Sequence, residues 1–287
     1  MDRQLWNQLS QAMFDVARGF RRCPRQTYDT HRIVRLYLWS VLHDRPVIWA
    51  TNPRSWSYST RPQALPDQST MSRRLRDAQT WCFLDKLARR VAGPVRPVLI
   101  KALDGKPLVV AKHSADADAT RGRGVGGFAK GYKLHAIWGG GPMPLAWSVR
   151  PLNVSEITEA QRLIPQLSDE GYLLADANYD RNVLYDQAAA HGHQLISQRQ
   201  RPAVGLGHRR HSPHRLRSIQ LLEQAPSPFG RELYRRRRAI ERDFAGLTGF
   251  GGGLQCLPSW VRSLPRVRLF VHAKLIINAA RIRSCVA

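Results

Sequence analysis

The sequence predicts an α/β fold in which a small all-α N-terminal domain precedes a larger domain with a mixed sheet flanked by helices. In the first part of the chain, apolar residues recur at helical spacing. After GPVRP (93–97) the pattern changes to short apolar runs of strand length that alternate with helices. Because Gly and Pro interrupt both kinds of element, we predict one domain at 1–95 and a second at 96–287.

The N-terminal domain is predicted to be helical and basic. Residues 2–20 and 28–43 carry apolar side chains on one helical face. Further along, Ser69 is a suitable N-cap for a short helix with several arginines, Arg73 and Arg74 among them. Arginines near the start of a short helix that follows another helix are typical of an element that enters a DNA groove. We therefore expect Arg73 and Arg74 to contact DNA, although a solvated basic face accounts for the pattern equally well.

The second domain is predicted to contain five strands and two helices before its basic C-terminal part. In chain order the elements are strands VLIKALD (98–104), KLHAI (133–137) and PLAWSVRPL (144–152), helix SEITEAQRLIPQL (155–167), strand GYLLAD (171–176), helix RNVLYDQAAAHG (181–192) and strand QLISQR (194–199). A hairpin followed by strand–helix alternation predicts a mixed sheet. The motif GRGVGG (122–127) matches a dinucleotide-binding fingerprint, but a strand rather than a helix follows it. We interpret it as a flexible basic loop near DNA.

The charge balance indicates a polyanionic partner. Lys and Arg number 45 against 21 Asp and Glu, which gives a net charge of +24. Double-stranded DNA is the first candidate, since each phosphate neutralised by a basic side chain releases a condensed counterion. An anionic membrane is the alternative, but the sequence shows neither an apolar span of about 18 residues nor a signal peptide. The four cysteines are scattered and predict free thiols, so we expect a cytoplasmic, nucleoid-associated protein.

Three carboxylates from distant segments are predicted to meet at one edge of the sheet. Asp104 closes the first strand, Asp176 closes the fourth, which should neighbour the first, and Glu241 lies on a late helix. Mg²⁺ prefers oxygen ligands, and two such ions about 4 Å apart can activate a nucleophile and stabilise the leaving oxygen of a phosphodiester. We therefore predict these three residues as catalytic ligands of Mg²⁺, with Mn²⁺ as an alternative ion.

Other acidic residues compete for this role. Asp116 and Asp118 lie in a loop rich in Ala that we expect to be mobile. Asp180 lies close to Asp176, and we expect it to cap the helix that begins near Arg181.

Glu241 follows four consecutive arginines in RRRRAIERDF (235–244). A surface salt bridge would explain a lone Glu beside Arg. However, Tyr234, Arg237 and Glu241 are spaced i, i+3 and i+7, so a continuous helix would place them on one face. The other arginines of the run are expected to contact DNA phosphates: Arg235, Arg236 and Arg238.

Several segments in a fixed order resemble a DDE transposase of the IS4/IS5 type, as encoded by bacterial insertion sequences. The segments are ALDGKPL, AKGYKLHAI, LLADANYD and Tyr234-x2-Arg237-x3-Glu241, with LPDQSTMSRRL before them. The resemblance covers roughly residues 28–283. It implies an RNase H-like fold, dependence on Mg²⁺, and the cutting and joining of transposon-end DNA.

By position, the resemblance assigns metal binding to Asp104, Asp176 and Glu241. It assigns contacts with the transposon-end backbone to Tyr234 and Arg237, and we expect Lys130 and Lys133 of AKGYKLHAI to contact DNA as well.

One position departs from the family pattern. The signature often adds a Lys after the Glu, and Thr248 occupies that position here. Either a nearby Arg such as Arg242 substitutes for it, or the chain is impaired. The alternatives are therefore an RNase H-like nuclease without strand transfer and an inactive DNA-binding relic. No Trp lies between Asp176 and Glu241, so we expect no hairpin route through a flipped base. Two DNA ends must be held together, which favours a homodimer on DNA.

Overall fold

The computed structural model describes residues 3–21, 24, 26–94, 96–124, 126–208, 210–224, 228–249, 253–254 and 256–284. The chain divides into two compact units, one comprising residues 1–95 and 246–287 and the other residues 96–245. Among the helices of these ranges, none combines the length and the apolar character that a bilayer crossing needs. Of the cysteines, Cys82 and Cys256 are free thiols, whereas Cys23 and Cys285 lie outside the described residues.

The helices are numbered in chain order. They are α1 (Arg3–Arg18), α2 (Thr30–Leu42), α3 (Val47–Ala50), α4 (Gln68–Arg74), α5 (Ala78–Ala92), α6 (Glu156–Leu163), α7 (Asn182–Ala190), α8 (Pro213–Ile219), α9 (Pro228–Arg235), α10 (Arg238–Thr248) and α11 (Leu264–Ser284). The two helices predicted at the N-terminus correspond to α1 and α2. The short basic helix is α4, but its N-cap is Asp67 rather than Ser69, because the Asp67 carboxylate accepts a hydrogen bond from the Thr70 N–H at 2.6 Å.

The first unit is a helical bundle in which α11 packs against α1, α2 and α5. Lys274 of α11 is completely buried, and its Nζ lies 2.5 Å from Asp44 Oδ1 and 2.9 Å from the Val41 carbonyl oxygen. Because a buried charge is tolerated when it is paired and hydrogen-bonded, this lysine fixes α11 to the end of α2.

The predicted domain division is wrong for residues 246–287. The sequence predicts them in the sheet-containing domain, but they belong to the same compact unit as the N-terminal helices. The reason is the composition of α11, whose residues are buried almost without interruption from Val267 to Ala280. A helix that is buried all round needs neighbours on every side, and the helices of the first unit provide them.

The second unit is built on one mixed sheet. Its strands are β1 (Ile100–Val109), β2 (Thr120–Gly124), β3 (Gly127–Trp138), β4 (Ala146–Pro151), β5 (Gly171–Ala175) and β6 (His193–Ser197). β1, β5 and β6 are parallel neighbours, and β3 runs antiparallel to β1 on its other side. β2 and β4 pair with successive parts of the remaining edge of β3. This is the RNase H-like arrangement, and the predicted mixed sheet, with its first strand beside the fourth, is confirmed.

Helices cover both faces of this sheet. Leu103 and Ile137 belong to a buried apolar cluster with Leu163 of α6 and Leu184 of α7. On the opposite face, the Trp138 ring lies 5.9 Å from the Phe244 ring of α10. Side chains alternate along a strand, so successive residues of β3 pack on different helices.

The prediction of a flexible loop at GRGVGG was wrong. Apart from Val125, which lies outside the described residues, the segment forms β2 and the turn into β3, and β1 and β3 are longer than predicted. The segment TRGRG lacks the apolar alternation from which strands are recognised in a sequence. Gly122 of this segment is nevertheless required, because a Cβ at that position would lie 2.7 Å from the Leu152 carbonyl oxygen.

Candidate active site

Asp104 and Asp176 lie side by side at the edge of the sheet where β5 ends. The parallel register of β1 and β5 pairs Ala102 with Leu174. Asp104 comes two residues after Ala102, and Asp176 comes two residues after Leu174. The two aspartates therefore lie opposite each other and belong to the same face of the sheet. The structure therefore brings together two of the three predicted ligands.

The environment of this pair disfavours its negative charges. Burial in the first place, and repulsion by Asp176 in addition, raise the pKa of Asp104 to about 6, although its carboxylate accepts a hydrogen bond from the Gly105 N–H at 2.7 Å. Burial also raises the pKa of Asp176, whose side chain accepts hydrogen bonds from the Asn178 N–H at 2.9 Å and from its Nδ2 at 3.2 Å. A bound cation would compensate these charges.

Glu156 is a further carboxylate at this edge, and no sequence motif singles it out. It lies in the first turn of α6, and its negative charge contributes to the raised pKa of both Asp104 and Asp176, where burial is the largest cause. Strand directions could have revealed it. β4 runs in the same direction as β1, because both are antiparallel to β3, so the helix that follows β4 begins at the edge where Asp104 lies.

Lys133 of β3 is paired with this glutamate. Its Nζ lies 2.7 Å from Glu156 Oε1, and the exposed fractions of the two side chains are only 10% and 21%. Gly105 makes room for the pair, because a Cβ there would lie 2.9 Å from Lys133 Cδ and 3.3 Å from Glu156 Oε1. The predicted DNA contact Lys133 is thus held beside the two aspartates by an ion pair within the protein.

The predicted single helix for Tyr234, Arg237 and Glu241 was wrong, because α9 ends at Arg235 and α10 begins at Arg238. Between the two helices the backbone forms hydrogen bonds between residues three apart, as in a 3₁₀-helix. One of them is donated by the Arg237 N–H to the Tyr234 carbonyl oxygen at 2.9 Å. Within the arginine run only Arg235 and Arg238 are one helical turn apart, and in a continuous helix their like charges would disfavour each other.

Tyr234 and Glu241 nevertheless both connect to the site. The Tyr234 hydroxyl donates to the carbonyl oxygen of Ala175, the residue before Asp176, at 3.2 Å. Glu241 is 54% exposed and forms an ion pair with Arg237, whose Nη2 lies 2.8 Å from its Oε1. The positive charge of Arg237 also opposes the effect of burial on the pKa values of Asp104 and Asp176.

The remaining arginines of the run lie at the surface. Arg235 is 70% exposed and its Nη2 lies 2.6 Å from Glu232 Oε2, while Arg236 is 59% exposed and lies 4.0 Å from the other oxygen of the same carboxylate. Arg238 is exposed as well. These side chains remain accessible to a phosphate backbone.

The other predicted DNA contacts fall into different environments. Arg73 is exposed on α4. Arg74 is buried, and its guanidinium donates to the Tyr28 carbonyl oxygen at 2.7 Å and to Thr30 Oγ1 at 3.1 Å. The assignment of Arg74 to DNA is therefore corrected: the phase of α4 turns this arginine into the first unit, where it stabilises the fold. Lys130 is partly buried and donates to the Ser114 carbonyl oxygen at 2.7 Å.

The competing carboxylates are engaged in the fold. Asp180 does not cap α7 as predicted; it is buried and forms an ion pair with Arg215, whose Nε lies 2.7 Å from its Oδ1. Asp116 is also buried, and its carboxylate accepts hydrogen bonds from the Tyr132 hydroxyl at 2.8 Å and from the Asp118 N–H at 3.1 Å. Asp116 thus belongs to an ordered segment rather than to a mobile loop.

The chemistry of the edge fits a hard divalent cation only in part. Asp104 and Asp176 offer the oxygen ligands that such a cation prefers. Burial disfavours their negative charges, which a cation would compensate. Within the described residues, however, no three His, Cys, Asp or Glu side chains come close enough together to hold a metal ion. Glu241 is therefore not gathered with the two aspartates, and it is bound by Arg237 instead.

The sheet order and the two aspartates at its edge define an RNase H-like domain in a strongly basic chain. A family model described as the transposase DDE domain matches residues 98–276, and the chain belongs to this family. Membership gives the protein a transposase or nuclease role, in a family that normally uses divalent metals. A search of curated proteins finds no match.

Proposed function

We propose that this protein cuts and joins DNA at the ends of an insertion sequence. Hydrolysis of one strand at the element end frees a 3′-OH. This hydroxyl then attacks a phosphodiester of the target DNA, so that a new P–O bond joins the two DNAs and the bridging oxygen of the target strand leaves. The observation that supports this proposal most is the level pair of Asp104 and Asp176 at the sheet edge, in a chain of the transposase DDE family.

In this proposal Asp104, Asp176 and Glu241 hold Mg²⁺, or Mn²⁺ in its place. A divalent ion held there would supply an activated nucleophile and stabilise the charge of the leaving oxygen. Glu241 would become available as a ligand if Arg237 released its carboxylate to bind a DNA phosphate, since a guanidinium pairs with both groups. Tyr234 anchors α9 to β5 and so keeps Arg237 near the aspartates.

DNA binding would draw on both units. Residues 1–95 would bind DNA with Arg73 among the contacts, and the arginines Arg235, Arg236 and Arg238 would follow the phosphate backbone of the element end. Since cutting and joining requires two ends in one complex, we propose a homodimer on DNA. The net charge of +24 supports such extensive contact with phosphates.

A second candidate function is hydrolysis without joining, and Thr248 favours it. Thr248 is the last residue of α10 and occupies the position where the resemblance leads us to expect a phosphate-binding Lys. A chain without that cation would cut DNA without transferring it, or would only bind it.

The experiment is a denaturing gel of end-labelled duplex that carries the inverted repeats flanking the gene, with Mg²⁺ and a target plasmid. We expect cut and joined products from the wild type, and neither from Asp104→Ala, Asp176→Ala or Glu241→Ala, all of which should still bind the duplex. Asp243→Asn is the matched control, since it removes another carboxylate from α10 and should leave cleavage intact. Cutting without joining would identify a nuclease, and a shifted band without any cutting would identify an inactive DNA-binding protein. Near-normal cleavage by any of the three variants would overturn the ligand assignment.

A further inference from the structure

The β2–β3 hairpin forms an arm that extends from the same edge of the sheet as Asp104 and Asp176. β5 pairs with β1 only from Ile100 to Ala102. β1 continues beyond Asp104 to Val109, still paired with β3, and β2 then pairs with the first part of β3 as far as the turn. The arm thus begins where the aspartates lie and ends at the tip of the hairpin.

The tip carries a basic and aromatic surface on one face. Arg123 pairs directly across from Phe128, and Arg121 pairs across from Lys130, so all four belong to the same face of the hairpin. Arg121 and Arg123 are exposed, and Phe128 is 87% exposed. Burial of a Phe side chain is favourable, and the exposed Phe128 does not gain this stabilisation.

The opposite face anchors the arm. Gly122 packs so closely on Leu152 that any side chain would collide with the Leu152 carbonyl oxygen. The Thr120 hydroxyl donates to Asn153 Oδ1 at 2.9 Å and accepts from the Asn153 N–H at 3.1 Å. Phe128 is therefore presented on a paired and anchored hairpin.

The tip is also narrow. Gly126 and Gly127 have φ angles of +80° and +138°, and a Cβ at either position would meet no atom within 4 Å. Three of the four residues that connect Arg123 to Phe128 are glycines, and such a turn suits the minor groove, which is about 6 Å wide and into which many proteins insert an apolar wedge between base pairs.

We propose that the arm binds double-stranded DNA and that Phe128 inserts at a base step, while Arg121 and Arg123 hold the flanking phosphates. Phe128 lies eight residues along β3 from Ala136, the partner of Asp104. At about 3.4 Å per residue this is about 27 Å, or about eight base pairs from the reacting phosphate. The inference rests on DNA as the substrate of the chain but requires neither cleavage nor joining.

The test measures binding in EDTA, so that a failure of the chemistry does not affect it. The probes are a 30-base-pair duplex and the same duplex with one central mismatch beside a 2-aminopurine. Because a mismatch lowers the cost of opening a step, the wild type should prefer the mismatched duplex about tenfold and increase 2-aminopurine fluorescence. Phe128→Ala should lose both effects but bind the intact duplex, and Phe128→Leu should retain part of both.

Two controls complete the design. Arg121→Gln with Arg123→Gln should weaken binding to both duplexes alike and lower the slope of log affinity against log salt by up to about 1.8. Tyr58→Ala, which removes an aromatic ring that is 93% exposed in the first unit, should keep the mismatch preference. An unchanged preference in Phe128→Ala would overturn the proposal. So would a loss of self-association in that variant by sedimentation, since Phe128 would then face a second copy of the chain.

Discussion

Arg237 and Glu241 form an ion pair in which Nη2 lies 2.8 Å from Oε1. Arg237 is 21% exposed and Glu241 is 54% exposed, so the carboxylate can reach solvent while the guanidinium remains near the sheet edge. The same guanidinium acts electrostatically on Asp104 and Asp176. A single cation therefore influences all three predicted metal ligands before any metal or DNA binds.

The first prediction concerns this competition. Arg237→Ala removes the cation that holds Glu241, so we expect the variant to bind Mn²⁺ about tenfold more tightly in the absence of DNA, equivalent to about 1.4 kcal/mol. The same change should weaken DNA binding. Titration calorimetry with Mn²⁺ and fluorescence anisotropy with labelled duplex measure the two effects. Arg238→Ala is the matched control, since it removes an exposed arginine of the same run; an equal gain in Mn²⁺ affinity there would contradict a specific role for the Arg237–Glu241 pair.

The second prediction concerns the pH dependence of stability. The pKa of Asp104 is raised to about 6, mainly by burial, whereas the unfolded group titrates near its usual value of about 3.9. Between these values the folded state binds more protons than the unfolded state, so the contribution of Asp104 to stability is lost as the pH rises. At neutral pH without metal, Asp104→Asn should raise the free energy of unfolding by up to about 3 kcal/mol, and at about pH 3.5 it should change little.

Asp180→Asn provides a control of opposite sign. Although burial works in the other direction, the hydrogen bonds from Arg215 lower the pKa of Asp180, so its contribution to stability is present at neutral pH and is lost on acidification. Breaking this buried pair should cost about 3–5 kcal/mol. Urea unfolding at both pH values measures both variants, and a destabilised Asp104→Asn at neutral pH would show that the Asp104 charge is already compensated.

The parts of the site that could be predicted from the sequence are those tied to strand ends. Asp104 and Asp176 follow short apolar runs, and the order of strands and helices makes those strands neighbours. Glu156 was missed because its helix was read only for its apolar stripe, and the direction of β4 becomes informative only when the pairing of the sheet is known.

Side-chain direction explains the remaining differences. Arg73 and Arg74 are adjacent and chemically identical, yet one is exposed and the other is buried against Tyr28 and Thr30. A short helix with few apolar residues does not reveal which side faces the bundle. β2 escaped detection for a related reason, since its pairing with β3 depends on glycines that allow close approach rather than on apolar alternation.

The third prediction tests whether Glu156 and Lys133 act as a unit. Glu156→Gln leaves a nearly buried ammonium without its partner and should destabilise the protein by about 3 kcal/mol. Lys133→Gln in the same chain should recover much of this loss, which gives a coupling energy of about 1–3 kcal/mol in a double-mutant cycle measured by urea unfolding.

Cleavage rates measured on the same four proteins distinguish a positioning role from direct participation of Glu156. If Glu156 acts by holding Lys133, then Lys133→Gln alone should slow cleavage as much as Glu156→Gln does, and the double variant should be no slower. If Glu156 acts independently of Lys133, the two losses should multiply. The distant pair Lys101–Asp169, with an Nζ–Oδ1 distance of 2.9 Å, is the control, and its double-mutant cycle should affect stability without selective loss of cleavage.

The fourth prediction concerns Glu232, which binds Arg235 and Arg236 at the surface. All three side chains are at least 48% exposed, so the ion pairs should contribute little to stability. Glu232→Gln removes a negative charge that repels phosphates and frees both arginines, and we therefore expect tighter binding to every DNA sequence with unchanged thermal stability.

Conversely, replacing Arg235, Arg236 and Arg238 with Gln should lower the slope of log affinity against log salt by up to about 0.9 per lost contact. Arg162→Gln on α6, which is 54% exposed and paired with Glu159, is the control, and the fall in slope is compared per arginine removed. An equal fall in slope for that variant would mean that the effect reflects net charge rather than contact between this arginine run and the DNA backbone.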